Sequence, residues 1–195
     1  MNLVSRLCYI LLLLSFGGIS LQAGGDKAPQ GFLADCLAQI DAVESQITSL
    51  EQAIPQEKFT WRPAEGVRSV SEVYLHAAGG NYYLLTLAGY APPKELNFVP
   101  DAKKWEGQTI DRAEIARILK ESYNYLRTTV RSINDAELER KVDYFGTEVT
   151  LRGLLINIIN HSHEHLGQSI AYARMNGIVP PWTAAREAKA REKSN

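Results

Sequence analysis

The sequence predicts an all-α fold: a four-helix bundle with a long crossover connection between its second and third helices. Apolar residues recur at spacings of three and four through four long segments, and no segment alternates. Capping residues open the second and third segments, and proline or Asn-Gly stands where the others stop. Four amphipathic helices with one apolar seam each are most economically packed as a bundle.

The first segment covers about residues 29–53, with Phe32, Cys36, Ile40, Val43, Ile47, Leu50 and Ile54 along one face before Pro55 ends it. The second opens at "RSVSEV", where Ser69 and Glu72 have capping-box spacing, and runs to about residue 88, before Pro92 and Pro93. Residues 89–109 form the long connection. The third opens at "TIDRAEI", where Asp111 and Glu114 repeat the box spacing, and carries Ile115, Ile118, Leu119, Leu126, Val130 and Ile133. A short helical turn is expected at about 135–140. "VDYFGTEVT" then reads as a small hairpin or extended loop centred on Gly146. The fourth helix starts near Thr150 and stops at Asn176 and Gly177, a C-cap signal reinforced by Pro180 and Pro181. The bundle is expected over residues 29–182, with 183–195 a charged, flexible tail.

Residues 1–23 have a different character. One positive charge precedes the apolar run "LCYILLLLSF", two glycines soften it, and Ala23 stands where a cleavage site would. This is the layout of a secretory signal, and the run is short of the roughly 20 residues a membrane-spanning helix needs. Export to the periplasm or beyond is expected, with no stable membrane insertion after cleavage; an uncleaved anchor is the alternative. The mature chain would then hold one cysteine, Cys36, with no intramolecular disulfide. Its neighbours Leu33, Leu37 and Ile40 lie at helical spacing, so it reads as a packed thiol. The formal net charge is -1 and the basic residues form no stripe, which argues against nucleic-acid binding.

Three of the four histidines fall in "HSHEH". On the fourth helix Leu154, Ile158, His161, His165, Gln168 and Tyr172 form one seam. At 100° per residue His163 lies about 160° from its neighbours and cannot share their site. On the second helix Val73, His76, Gly80, Tyr83 and Leu87 trace another seam. Imidazoles at i and i+4 suit one metal ion, and a third from a facing helix leaves coordination positions open. A lone seam histidine is more commonly a core residue; three converging ones favour a metal. "HSHEH" also fits H-x-x-E-H with Glu164 as base, but that class needs an acidic ligand well downstream, where only a helix end and a tail remain.

Together, "FTWRPAEGVRSVSEVYLHAAGG" and "HSHEHLGQ" resemble the DinB/YfiT-like superfamily. The resemblance covers about residues 31–182. It implies a four-helix bundle, commonly a homodimer, holding a divalent metal through His76, His161 and His165. Gly167 and Gln168 match the family's Gly-Gln, while Leu166 replaces a residue that is often basic. The implied activity is either metal-dependent hydrolysis or thiol-dependent transfer, on a small-molecule substrate. Export disfavours the thiol reading, because reduced small thiols are mainly cytosolic. Zinc, nickel and iron all suit imidazole. Tyr83 and Gln168 are candidates to orient water or substrate, and Glu164 is a weaker one, about 100° round the helix from His165. Tyr82, Tyr83 and Trp105 could line a pocket or simply pack in the core. A non-catalytic metal- or ligand-binding bundle is the alternative function.

Overall fold

A computed structural model of the protein describes residues 30–194, so the expected leader at 1–23 lies outside the described residues. The four bundle helices are α1 (Gly31–Ala53), α2 (Val70–Leu87), α4 (Arg112–Ser132) and α5 (Leu151–Met175). A short helix, α3 (Ala102–Glu106), lies inside the connection between α2 and α4. Among the described residues no helix is long and apolar enough to cross a membrane.

The α1 seam is buried as its spacing predicts: Leu33, Cys36, Ile40, Val43, Ile47 and Leu50 all face the core. Burial pushes the Cys36 thiol up to about 11, so it stays protonated and unreactive at neutral pH. α2 begins with a complete capping box between Ser69 and Glu72. At α4 only half of the expected box forms. Asp111 accepts from the Glu114 backbone amide, but the Glu114 carboxylate is drawn to Arg117. α5 is capped by Thr150, whose hydroxyl accepts from Gly153 N at 3.0 Å.

α1 packs on α4 and α5, and α2 packs on the same two, so the first two bundle helices lie diagonally across the core. A buried polar chain ties three of the helices. Ser162 of α5 donates to Asn81 of α2 at 3.4 Å, Asn81 donates to Ser122 of α4 at 3.1 Å, and Ser122 donates to the Leu119 carbonyl. Slippage of α2 against either neighbour would strand these groups without partners.

The segment "VDYFGTEVT" forms a two-stranded antiparallel hairpin, β1 (Lys141–Tyr144) and β2 (Thr147–Thr150), in which Tyr144 pairs with Thr147. Two expectations need correction. The charged C-terminal residues form a helix, α6 (Pro181–Ser194), started by Pro181 and favoured by its alanines and long side chains. The α2 seam is also misdrawn. Val70, Val73, Tyr74, Ala77, Ala78, Asn81 and Leu85 are buried, whereas His76, Gly80 and Leu87 are half-buried and Tyr83 is exposed. α2 is apolar almost all round and is covered by α4, α5 and α3, so hydropathy alone does not mark which line faces the bundle axis.

Candidate metal centre

The misdrawn line places the site. His76 and Gly80 lie where α2 runs along α5, at the floor of a cleft of about 360 Å³. One wall is the α2–α4 connection, with Phe98 and Trp105; the other is the hairpin, with Tyr144 and Phe145. The contact between helices is close at Gly80, where an added Cβ would stand 2.2 Å from Cε1 of His161. Gly79 makes the same room for Trp105, whose indole N–H donates to the Leu75 carbonyl at 2.6 Å.

Three imidazoles meet there. Nε2 of His161 is 3.2 Å from Nε2 of His76 and 3.2 Å from Nε2 of His165. One ligand atom from each ring lies within 4.8 Å of the others, close enough to hold a metal ion. The outward-facing nitrogens indicate where the ring hydrogens sit. Tyr172 donates its hydroxyl hydrogen to the Arg68 carbonyl at 3.1 Å, so it accepts from the Gln168 amide nitrogen at 3.0 Å. That turns the Gln168 oxygen toward His165 Nδ1, 3.0 Å away, and the hydrogen belongs on Nδ1. His76 Nδ1 is 2.6 Å from Glu106, a carboxylate that accepts and that Arg68 grips with two bonds of 2.8 and 3.1 Å. Its hydrogen is likewise on Nδ1. In the neutral imidazole that a metal requires, Nε2 of His76 and of His165 then carry bare lone pairs, and both face Nε2 of His161. A proton on that atom could satisfy only one of them. A cation among the three satisfies all, so the donor set fits a divalent metal bound by nitrogen.

Among the described residues His161 has no outer partner. Its Nδ1 is buried without a hydrogen bond, and its ring is held by packing against Gly80. Burial, then the neighbouring His165 and His76 and the Arg68 charge, hold its pKa down at about 3. His165 is also lowered, mainly by burial and against the opposing Gln168 hydrogen bond. Both rings are thus in the neutral form a metal requires.

The other candidates fall differently. Gln168 hydrogen-bonds both His165 and Tyr172, so it orients the His165 ring. Tyr83 lies on the cleft wall. Glu164 and His163 are exposed, and among the described residues neither hydrogen-bonds the three histidines. Of the proposed pocket aromatics, Trp105 and Tyr83 line the cleft, while Tyr82 is buried behind it against Phe98, Trp105 and Tyr125. Sequence reading missed Glu106, Arg68 and the part played by Trp61, which packs edge-on against Tyr172 at 5.3 Å. "TWRPAEGVRS" is the available signal for Trp61 and Arg68; Glu106 has none, since no helical spacing links it to His76.

The structure is similar to those of several bacterial proteins. A DinB-like protein from Bacillus cereus ATCC 10987 superposes with a TM-score of 0.64 at 17% identity, over 80% of this chain and 98% of that one. The DinB-like YjoA of Bacillus subtilis gives 0.56 at 19% identity, over 74% and 93%. YfiT of Bacillus subtilis, described as a probable metal-dependent hydrolase with an unusual four-helix bundle topology, gives 0.58 at 16% identity, over 75% and 89%. At these identities the likeness establishes the fold alone. No curated protein matches the sequence. The DinB superfamily matches residues 39–169, from within α1 to just past His165 and Gln168. The chain therefore belongs to the DinB superfamily.

Proposed function

We propose that the protein is a metal-dependent hydrolase of a small molecule, with His76, His161 and His165 holding one divalent ion. The observation that carries this reading is the convergence of three Nε2 atoms, two of them on His76 and His161, which line an accessible cleft. Held by these three imidazoles, a divalent ion would supply Lewis acidity and would make water more acidic. The protein's own contribution is orientation and shelter. Glu106 and Gln168 fix the tautomers of two rings, and the mainly apolar cleft walls exclude bulk water from a seated substrate. Glu106 is held by Arg68 and His76 and acts as a positioning group, not as a free base. Zinc, nickel and iron all suit this donor set. The leader-like segment supports a site of action outside the cytoplasm, which favours water over a small thiol as the nucleophile. The description of YfiT as a metal-dependent hydrolase agrees with this reading.

The test is hydrolysis of a panel of neutral esters and amides by the full chain. Activity should vanish on chelation and return with zinc, nickel or iron. Turnover that is indifferent to chelation would overturn the proposal, as would a metal-loaded protein that turns over none of the panel.

A further inference from the structure

The imidazole and carboxylate groups of the cleft gather at its floor, and its walls are mainly aromatic and aliphatic. His76, His161 and Glu106 stand at the floor, and above them the walls are Tyr83, Phe98, Trp105, Tyr144 and Phe145 with aliphatic neighbours. The polar groups of Trp105 and Glu106 are already engaged. Trp105 donates to the Leu75 carbonyl, and Glu106 is shared by Arg68 and His76. Among the described residues no lysine or arginine lines the cleft, so its walls offer no side chain that would neutralise an anion.

Phe145 is the unexpected part. It is 64% exposed and occupies the first position of the two-residue hairpin turn Phe145–Gly146. Both residues have positive φ, 54° and 83°. Such a turn favours Asn, Asp or Gly at this place, and a bulky side chain there is an outlier. Its ring stacks beside Tyr83, centroids 6.0 Å apart and planes 26° from parallel, and meets Tyr144 edge-on. Two large rings thus stand partly in solvent at the mouth of the cleft, one of them against the preference of its backbone.

We propose that this cleft binds a small uncharged molecule carrying an aromatic ring, seated against Tyr83 and Phe145 with its polar group toward His76 and His161. This names a substrate class for the site of the proposed hydrolase and rests on that assignment. The cleft volume, about 360 Å³, lies in the range of small-molecule sites. Ring-lined walls favour an aromatic over an aliphatic ligand, because offset and edge-on ring contacts add to simple burial.

The test is a fluorescence titration of the full chain with 2-naphthol, both metal-free and zinc-loaded, with cyclohexanol as competitor. Saturable binding is expected in both forms, with cyclohexanol a poor competitor. Tyr83→Ala and Phe145→Ala should each weaken binding about tenfold. Phe145→Asn should weaken it equally without lowering the unfolding temperature, since Asn-Gly is a preferred pair for this turn. Met175→Ala, at an exposed apolar residue outside the cleft, should change nothing. Binding that does not saturate, cyclohexanol competing as well as naphthol, or wild-type affinity in Phe145→Asn would each overturn the proposal. Because the metal-free arm needs no metal, zinc uptake without naphthol binding would sink this inference and leave the hydrolase reading standing; naphthol binding without zinc uptake would do the reverse.

Discussion

Gly80 has no side chain, and the space it leaves is filled by the imidazole of His161. Alanine there has better helix propensity, by about 1 kcal/mol, yet its Cβ would fall 2.6 Å from Nδ1 of that ring. The ring can swing aside more easily than the helices can part. Gly80→Ala is therefore expected to keep its fold and unfolding temperature while zinc affinity drops tenfold or more, measured by competition with a chromophoric chelator. Gly79→Ala should behave oppositely. Its Cβ would strike the buried, hydrogen-bonded Trp105 ring at 2.7 Å, so it should cost roughly 1–3 kcal/mol in chemical denaturation. At this scale the histidines were legible, because an i,i+4 pair and a distant third are visible as spacing. Glu106 was not, because the fold, not a periodicity, brings residue 106 beside residue 76.

Between elements, Arg68 joins both outer arms of the site: its guanidinium holds Glu106, and its carbonyl accepts from Tyr172. Glu106→Gln should weaken metal binding about 10–100-fold with little loss of stability, since it removes the carboxylate that fixes the His76 ring hydrogen. Calorimetric zinc titration checks this. α1 offers a separate test. Glu51 is only 1% exposed, one of its oxygens has no partner among the described residues, and burial raises its pKa to about 7. A carboxyl raised in the folded state contributes stability below its unfolded value of 4.5 and loses it as pH rises through about 7. Glu51→Gln should therefore raise the unfolding temperature at pH 8 and barely change it at pH 4. His161 titrates with the opposite consequence. Its folded value of about 3 lies below the unfolded 6.5, so its contribution is present above 6.5 and is lost as pH falls toward 3. Acid unfolding of the metal-free protein should begin in that window, and His161→Gln should blunt it.

For the whole molecule, the bundle was legible because α1, α4 and α5 each present one broad apolar face, α4 and α5 carry recognisable caps, and Pro55 follows the end of α1. The α2 line was not, because a helix buried from several sides has no single seam. Nor was the cleft, which exists only once the α2–α4 connection and the hairpin close over opposite sides of the His76–His161 contact. The central claim is that His76, His161 and His165 act as one metal site while His163 does not. It is tested most directly by metal analysis of the purified full chain beside four single variants, one histidine to alanine in each. About one divalent ion per chain is expected in the wild type and in His163→Ala, and essentially none in His76→Ala, His161→Ala or His165→Ala. Full metal content in His161→Ala, or its loss in His163→Ala alone, would contradict the account.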